Sequence, residues 1–328
     1  MRIKHIDALR GIAAIIITFF HLSGSSGLSM NFASYGKYGY LGVEIFFVIS
    51  GFILPYSMHK TGYDIDNFGR FILKRIIRIY PAYLVAILVG IALPLLTGRV
   101  VVSMSAILSH VLFLNSILGL DWISPVFWTL AIEFQFYILI GLLYKYISHS
   151  NSESLMLIGI VTGSSFFLKN ASYIFYWFPF FSLGILIYNR KFTSTPKDIF
   201  WVTAAMLLAI ITYVFGLPET IAAGFAFLFI VFIKMENTTR LNKVMLGFGT
   251  ISYPLYLVHW EVGRAAARLT RHIPKLGDLE IFKVFIGLII SIFTAYLLYL
   301  FVEKSSIRYS SKIKYFSSRT KVSNIGQA

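Results

Sequence analysis

Residues 6–22 read IDALRGIAAIIITFFHL, a run that is apolar apart from Asp7, Arg10, Thr18 and His21. A helix that crosses a bilayer needs about 20 predominantly apolar residues. The run therefore predicts a membrane span that begins near Asp7. Arg10 and His21 are candidates for function, because a charged side chain at mid-span costs at least ~2.5 kcal/mol on insertion scales.

The composition extends this prediction to the whole chain. Of 328 residues, 57% are hydrophobic and 13% are charged, and the mean hydropathy is +0.76. Soluble domains carry roughly 25% charged residues. The net charge of +15 would suggest nucleic-acid binding in a soluble protein. In a membrane protein it indicates basic cytoplasmic loops, so we expect no nucleic-acid partner. The absence of cysteine excludes a disulfide framework and a thiol nucleophile.

Eleven apolar stretches are candidate membrane spans. They cover residues 7–23, 40–58, 72–96, 103–118, 128–147, 155–168, 173–188, 199–216, 219–235, 249–264 and 281–302. The weakest is 103–118, which contains four serines, a histidine and an asparagine. We expect it to form a re-entrant or peripheral helix. The predicted fold class is therefore all-α: a polytopic transmembrane helical bundle of about ten spans, plus this helix near 103–118.

The distribution of basic residues favours ten spans over eleven. With ten, 21 of the 29 lysines and arginines lie in cytoplasmic segments, and both termini are cytoplasmic. This asymmetry is the one that the positive-inside rule describes. With eleven, Arg190, Lys191 and Lys197 would lie outside. The predicted division is a transmembrane domain over 1–304 and a basic cytoplasmic tail over 305–328.

His21 and Glu133 are predicted to lie at a similar depth in the bilayer. At 1.5 Å per residue, His21 lies ~20 Å along the first span, and Glu133 lies ~8 Å along the span that enters from outside at Trp128. A carboxylate bonded to one imidazole nitrogen fixes the tautomer and makes the other nitrogen a competent base. Alternatively, local hydroxyls or water satisfy each side chain, and both only stabilise the bundle.

A second candidate pair is the two arginines of KRIIR (74–78). Arg75 and Arg78 are three residues apart, so their guanidinium groups point from one helix face. A paired fork of this kind suits a phosphate group. The alternative is a cytoplasmic anchor whose side chains extend to lipid headgroups.

Two weaker motifs are set aside. His59 and Asp64 have the H-x4-D spacing known from glycerolipid acyltransferases, but they lie in a short inner loop, and we interpret the spacing as chance. Ser50 has no G-x-S-x-G elbow around it, and the pair Ser50–Gly51 is more typical of close helix packing. No metal-ligand cluster has a useful spacing, so no metal site is predicted.

Five blocks together resemble the acyltransferase family 3 membrane proteins. The blocks are residues 6–22, with the Arg-x10-His pair Arg10 and His21; GYLGVEIFFVISGFIL (39–54); RIIRIYPAYL (75–84), with the R-x-x-R element; FWTLAIEFQFYIL (127–139), with the W-x-L-x-x-E motif; and ISYPLYLVH (251–259), with the S-Y-x-x-Y-L-x-H element. They occur in the family's order and cover the chain from end to end.

The resemblance implies a ten-span enzyme of the bacterial inner membrane that moves an acyl group, usually acetyl from acetyl-CoA, onto a carbohydrate hydroxyl. Acetyl-CoA is then the donor substrate, and no cofactor is bound permanently. Acceptors in such families include O-antigen, capsule and exopolysaccharide sugars and lipid-linked precursors. The implied partners are therefore acyl-CoA, a carbohydrate and membrane lipid. The chain resembles the members that lack a fused periplasmic esterase-like domain.

The roles of the site residues follow from this resemblance together with the depth counts. Arg75 and Arg78, with Arg10 as a third cation, are expected to hold the CoA phosphates near the inner face. His21, supported by Glu133, is expected to deprotonate the acceptor hydroxyl near the outer face. Two alternatives remain open: a covalent acyl-His21 relay, and a transporter of a lipid-linked glycan that uses the same polar cavity.

Overall fold

The computed structural model describes residues 3–25, 36–96, 103–234, 239–270 and 280–316. This part of the chain is helical and contains no β-strand, which confirms the all-α prediction for it. The α-helices are α1 (Lys4–Ser25), α2 (Gly42–Lys60), α3 (Phe68–Leu96), α4 (Met104–Val111), α5 (Asn115–Leu118), α6 (Trp128–His149), α7 (Asn151–Gly163), α8 (Ile174–Phe192), α9 (Lys197–Val214), α10 (Leu217–Phe232), α11 (Arg240–Val258), α12 (Arg264–Leu269), α13 (Glu280–Leu298) and α14 (Lys304–Lys312).

Six helices in the described part are long and apolar enough to cross a membrane. They are α1, α2, α3, α6, α9 and the continuous helix that runs from α13 into α14. The helix α10 is a shorter apolar helix. Each of the ten predicted spans coincides with a helix, but the remaining helices do not reach the same length and apolarity. The number of ten spans therefore stays a prediction.

The stretch 103–118 folds into the two short helices α4 and α5, which have eight and four residues. At 1.5 Å per residue neither approaches the ~30 Å hydrocarbon thickness of a bilayer. The segment is held against α3 through Tyr80 and Tyr83, whose hydroxyls donate to the carbonyls of Val111 and His110 at 2.7 and 3.1 Å.

His110 is the buried polar centre of this segment. Its Nδ1 lies 2.6 Å from the Ala106 carbonyl oxygen, and its Nε2 accepts the backbone N–H of Ile123 at 2.7 Å. This pattern fits a neutral ring that carries its proton on Nδ1. Burial lowers the pKa of the His110 imidazole from its ordinary value of 6.5, and this effect outweighs the Ala106 hydrogen bond.

Two pairs of helices pack at close range through glycine. In the α2–α8 pair, a Cβ on Gly51 would collide with the Phe181 backbone, and a Cβ on Gly184 would collide with the Val48 backbone. In the α1–α11 pair, Gly249 lies in the same way against the Asp7 backbone. Small residues allow helices in a membrane to approach this closely. Gly51 thus has the packing role that the Ser50–Gly51 pair predicts.

Two long helices contain a π-helical turn. The helix α11 continues through His259–Gly263 into α12, and α13 continues through Tyr299–Glu303 into α14. A π turn contains one extra residue, so it changes which side chains face the bundle, and such turns are frequent at functional sites. Both turns contain a buried polar side chain, His259 in the first and Glu303 in the second.

The described end of the C-terminal tail folds back onto the start of α3. The side-chain amide of Asn67 donates to the Phe316 carbonyl at 3.3 Å, and its oxygen accepts the Phe316 N–H at 2.8 Å. The Arg70 guanidinium lies 3.2 Å from the centre of the Phe316 ring. The tail through Phe316 is therefore part of the packed structure, and 317–328 lie outside the described residues.

Candidate active site

A central cavity of about 100 Å³ lies among α1, α2, α3, α6 and α11. Most of its lining is apolar or aromatic. Its charged lining residues come from three helices and one π turn, and they are Arg10, Arg75, Arg78, Glu133 and Glu303. The three arginines that the sequence analysis assigned to one ligand therefore line one space.

Arg75 is the least solvated of these cations, with 8% of its surface exposed. Its guanidinium lies between the rings of Phe71 and Tyr137, at 5.2 and 5.5 Å from their centres. Its Nε is buried without a hydrogen-bond partner, and it forms no ion pair with a carboxylate of the described chain. A cation that extends to lipid headgroups would be exposed at the surface. The buried position instead suits a cation that receives an anionic ligand.

Glu133 lies on the wall of the same cavity and has two hydroxyl partners. Its Oε1 accepts a hydrogen bond from the Tyr137 hydroxyl at 2.6 Å and one from the Ser50 hydroxyl at 3.3 Å. Among the described residues it forms no hydrogen bond with His21. Ser50 therefore donates to the Glu133 carboxylate here.

His21 lies in a second cluster, which is aromatic and cationic. Its ring centre is 4.7 Å from that of Phe20, 4.8 Å from that of Trp260 and 5.2 Å from that of His259. The Arg264 guanidinium lies 4.2 Å from the centre of the Trp260 ring. His21 is half-buried, whereas His259 is fully buried.

The hydrogen bonding of His259 defines its tautomer. Its Nδ1 lies 3.0 Å from the Leu255 carbonyl oxygen, so Nδ1 carries the proton and Nε2 is an acceptor. That Nε2 is buried and has no partner within the described part of the chain. A buried polar atom left without a partner costs about 1–3 kcal/mol. The imidazole of His21 is a neighbouring ring, 5.2 Å away between ring centres.

Tyr256 joins the two regions. It lines the central cavity, and its ring centre is 5.8 Å from that of His259. Its hydroxyl donates to the Val126 carbonyl at 2.9 Å and lies 2.6 Å from the Thr129 hydroxyl. The arginine-lined cavity and the His21 cluster therefore adjoin.

The structure brings together four of the five predicted site residues, namely Arg10, Arg75, Arg78 and Glu133. The fifth, His21, lies in the adjoining cluster. The roles of all five stay predictions. The sequence analysis did not assign a role to His259 or Glu303, although both are ionisable groups in apolar segments, which is the signal that singled out His21. No group of three histidine or acidic side chains in the described ranges is arranged to hold a metal.

His59 and Asp64, which form the H-x4-D spacing, make separate local contacts. The His59 Nδ1 lies 3.2 Å from the Tyr188 hydroxyl, whereas Asp64 accepts the side-chain amide of Asn67 at 2.6 Å. The two side chains thus belong to different packing contacts.

Comparison with known proteins gives a family match over most of the chain. The model of a family described as an acyltransferase domain matches residues 3–300. A protein of Acidianus two-tailed virus, assigned as acetyltransferase ORF330, is 26% identical over 277 aligned residues, covering 77% of this chain and 81% of the viral protein.

Two further relatives are bacterial. A protein of Komagataeibacter xylinus, assigned as the membrane-bound transacylase BcsY, is 23% identical over 355 aligned positions, covering 95% of this chain and 84% of that protein. Protein 2 of the picA locus of Rhizobium radiobacter is 36% identical over 83 residues, covering 25% of this chain and 40% of its own length. No solved structure matches the chain.

Proposed function

The chain belongs to the acyltransferase domain family, and from that premise we propose that it transfers an acyl group from cytoplasmic acyl-CoA to a hydroxyl of a glycan. The acyl group is acetyl, and the acceptor is a cell-surface glycan or its lipid-linked precursor. The protein acts in the inner membrane with both termini in the cytoplasm. The name of the transacylase relative from Komagataeibacter xylinus agrees with a membrane-bound transferase.

The observation that carries this proposal is the set of three arginines around one cavity, with the Arg75 guanidinium buried and without a carboxylate partner in the described chain. Coenzyme A presents phosphate groups at the end of a long, flexible arm. Guanidinium groups bind phosphate in a bidentate manner, and such charge-assisted bonds are roughly twice as strong as neutral ones. When the arginines bind the phosphates, the flexible arm of CoA extends along the cavity toward Tyr256. The thioester at its end then approaches the His21 cluster.

The chemical step uses His21 as general base. His21 takes the proton of the acceptor hydroxyl while the hydroxyl oxygen attacks the acyl carbonyl. The new C–O bond forms, the C–S bond of the thioester breaks, and the CoA thiolate takes the proton back from the His21 imidazolium. The products are an ester and free CoA. General bases of this kind contribute about 10²–10⁴-fold to the rate.

His259 acts in this step as a positioning residue. Its Nε2 is an acceptor because Nδ1 is bonded to Leu255, so in the reacting complex it receives an N–H of His21 through one water or after a small movement of the ring. That bond fixes the tautomer of His21, so that the opposite nitrogen is the one that accepts the substrate proton. Glu133 supports the reaction from the donor end, because its partner Tyr137 lies against the Arg75 guanidinium.

The proposed orientation is supported by charges that share one end of the bundle. Lys191, at the end of α8, acts electrostatically on His5, at the start of α1. Arg10, near the N-terminus, and Glu303, near the C-terminus, line the same cavity. If both chain termini lie at the same end of the bundle, the chain crosses the membrane an even number of times.

Consumption of the thioester tests the proposal. The reconstituted protein is incubated with acetyl-CoA and a membrane glycan extract, and free CoA is followed with a thiol-reactive dye. The chain contains no cysteine, so the protein itself gives no background. We expect CoA release that falls roughly 10²–10⁴-fold in His21→Ala. Release stays unchanged in His149→Ala, which alters an exposed histidine. A wild-type protein that releases no CoA would contradict the proposed function and favour a transporter.

A further inference from the structure

A second cavity, of about 190 Å³, lies where the end of α8, the start of α9 and the end of α10 meet. We call it the basic pocket. Its lining residues are Ile187, Arg190, Lys191, Lys197, Phe200, Trp201 and Val231. It shares no lining residue with the central cavity. The pocket is therefore separate from the proposed acyl-transfer site.

The three cations of the basic pocket have no acidic partner within the described part of the chain. Arg190 donates to the Thr195 carbonyl at 3.2 Å, and the Lys191 ammonium lies 4.9 Å from the centre of the Phe52 ring. Lys234 adds a further positive charge that repels Lys191 electrostatically. Like charges gathered in one place repel each other, and a bound anion would relieve this repulsion.

Apolar surface along α9 and α10 borders the cations. Phe200 is buried and lines the pocket, and Trp201 stacks on Phe232 with 5.9 Å between ring centres. Along the same helices, Val202 is 59% exposed and Phe232 is 63% exposed. α9 is one of the helices that are long and apolar enough to cross a membrane. The cations therefore lie at the end of a candidate span, beside exposed apolar side chains.

From this juxtaposition we infer that the basic pocket binds the phosphate headgroup of an anionic membrane lipid. Arg190, Lys191 and Lys197 contact the phosphate, and the acyl chains lie along the exposed apolar side chains of α9 and α10. Basic pockets between transmembrane helices on the cytoplasmic side bind lipid headgroups of this class. The same cations would also bind free phosphate. The adjoining apolar surface favours a lipid, because free phosphate has no apolar part to cover that surface.

Trp201 provides a reporter inside the pocket. The whole protein is placed in nanodiscs of phosphatidylcholine, and brominated phosphatidylglycerol or brominated phosphatidylcholine is added at equal mole fractions. Bromine quenches tryptophan fluorescence at short range. We expect the anionic lipid to quench more strongly, and the excess quenching to disappear in Trp201→Phe.

Charge variants test which cations are responsible. In the pair Arg190→Gln and Lys197→Gln, the preference for the anionic lipid should fall by about fivefold for each cation removed. The matched control pair, Lys145→Gln and Arg308→Gln, removes one lysine and one arginine that are exposed elsewhere. It should keep the wild-type preference. Thermal unfolding of both pairs establishes that they are folded.

Three outcomes would overturn the inference. In the first, the pocket pair and the control pair lose the preference for the anionic lipid equally, which indicates an effect of general surface charge. The excess quenching persists in Trp201→Phe, which locates the lipid elsewhere. Millimolar inorganic phosphate alone abolishes the excess quenching, which identifies free phosphate as the ligand. Because the readout does not involve acyl transfer, each outcome is independent of the proposed enzymatic activity.

Discussion

The imidazole rings of His21 and His259 lie 5.2 Å apart, centre to centre, with 32° between their planes. His21 is predicted from the Arg-x10-His pattern, whereas His259 comes from a π turn more than two hundred residues later in the chain. The Nε2 of His259 is buried without a described partner, and the half-buried ring of His21 lies beside the His259 ring. This relationship gives His259 a specific role that substitution can separate from simple packing.

Replacing His259 by leucine removes the Nε2 acceptor and puts an apolar side chain in its place. We expect kcat to fall by about tenfold or more, because His21 loses its fixed tautomer. The KM for acetyl-CoA should stay unchanged, since the arginines are not affected. The thermal unfolding temperature should change little, because losing the Nδ1 hydrogen bond to the Leu255 carbonyl is offset by removing the buried Nε2, which has no described partner.

His259→Gln is the matched variant, since its side-chain oxygen restores an acceptor. We expect it to recover part of kcat. In ¹⁵N-labelled protein, the histidine nitrogen signals should show a mixture of His21 tautomers in His259→Leu and a single tautomer in the wild type. If stability and kcat fall together in both variants, and the His21 signals do not change, His259 is structural.

Arg75→Lys keeps the positive charge but loses the planar fork of donors. We expect acetyl-CoA to bind roughly tenfold or more weakly, because hydrogen bonds to charged groups contribute about 1.5–3 kcal/mol. Isothermal titration in detergent measures this. Arg308→Lys, at an exposed position, is the control. Equal affinities for the Arg75 variant and the wild type would show that Arg75 does not contact the donor.

Glu133→Leu distinguishes a role at the donor end from a direct pairing with His21. The variant removes the acceptor for the Tyr137 hydroxyl, so we expect the KM for acetyl-CoA to rise by roughly fivefold. The acid limb of the pH dependence of kcat should stay where it is in the wild type. A shift of that limb would show instead that Glu133 stabilises the His21 imidazolium.

Gly51→Ala and Gly184→Ala test the contact between α2 and α8. In each variant the new Cβ collides with the backbone of the facing helix, which cannot move as a side chain would. Overpacking of this kind costs about 1–3 kcal/mol, so the thermal unfolding temperature should fall. Gly159→Ala in α7 is the control, because its Cβ would meet open space. Alanine favours the helix there by roughly 0.5–1 kcal/mol. Equal unfolding temperatures for all three variants would contradict the close contact.

The His110 pKa predicts a pH dependence of stability. Because burial lowers this pKa below the ordinary value of 6.5, the unfolded chain takes up a proton at a higher pH than the folded chain. The contribution of neutral His110 to the free energy of unfolding is therefore present above about pH 6.5, and it is lost as the pH falls toward the folded-state pKa. We expect the unfolding temperature of the wild type to fall more between pH 7.5 and pH 5.5, roughly one unit on either side of that value, than that of His110→Gln. Identical falls in the unfolding temperatures of the wild type and His110→Gln would contradict this role of His110.

The helices were predictable because each apolar run is long and its boundaries are marked by polar residues. The pairing of Arg75 and Arg78 was predictable because the two residues share one helix face, whereas Arg10 was added as a third cation alongside the family resemblance. Proximity of His21 and Glu133 was not predictable in the same way. Counting residues gives a depth along the helix, whereas each residue turns the side chain by about 100° around the axis. A depth match therefore leaves the direction of both side chains undetermined.

The π turn at His259–Gly263 restricts how the chain length can vary in evolution. Deleting one residue from this turn would return the helix to the α-helical pitch and rotate everything on one side of it by about 100°. His259 and the Trp260–Arg264 pair would then no longer approach His21 from the same side. Homologous sequences that keep this cluster should therefore tolerate substitutions between Tyr256 and Arg264 more readily than single-residue insertions or deletions.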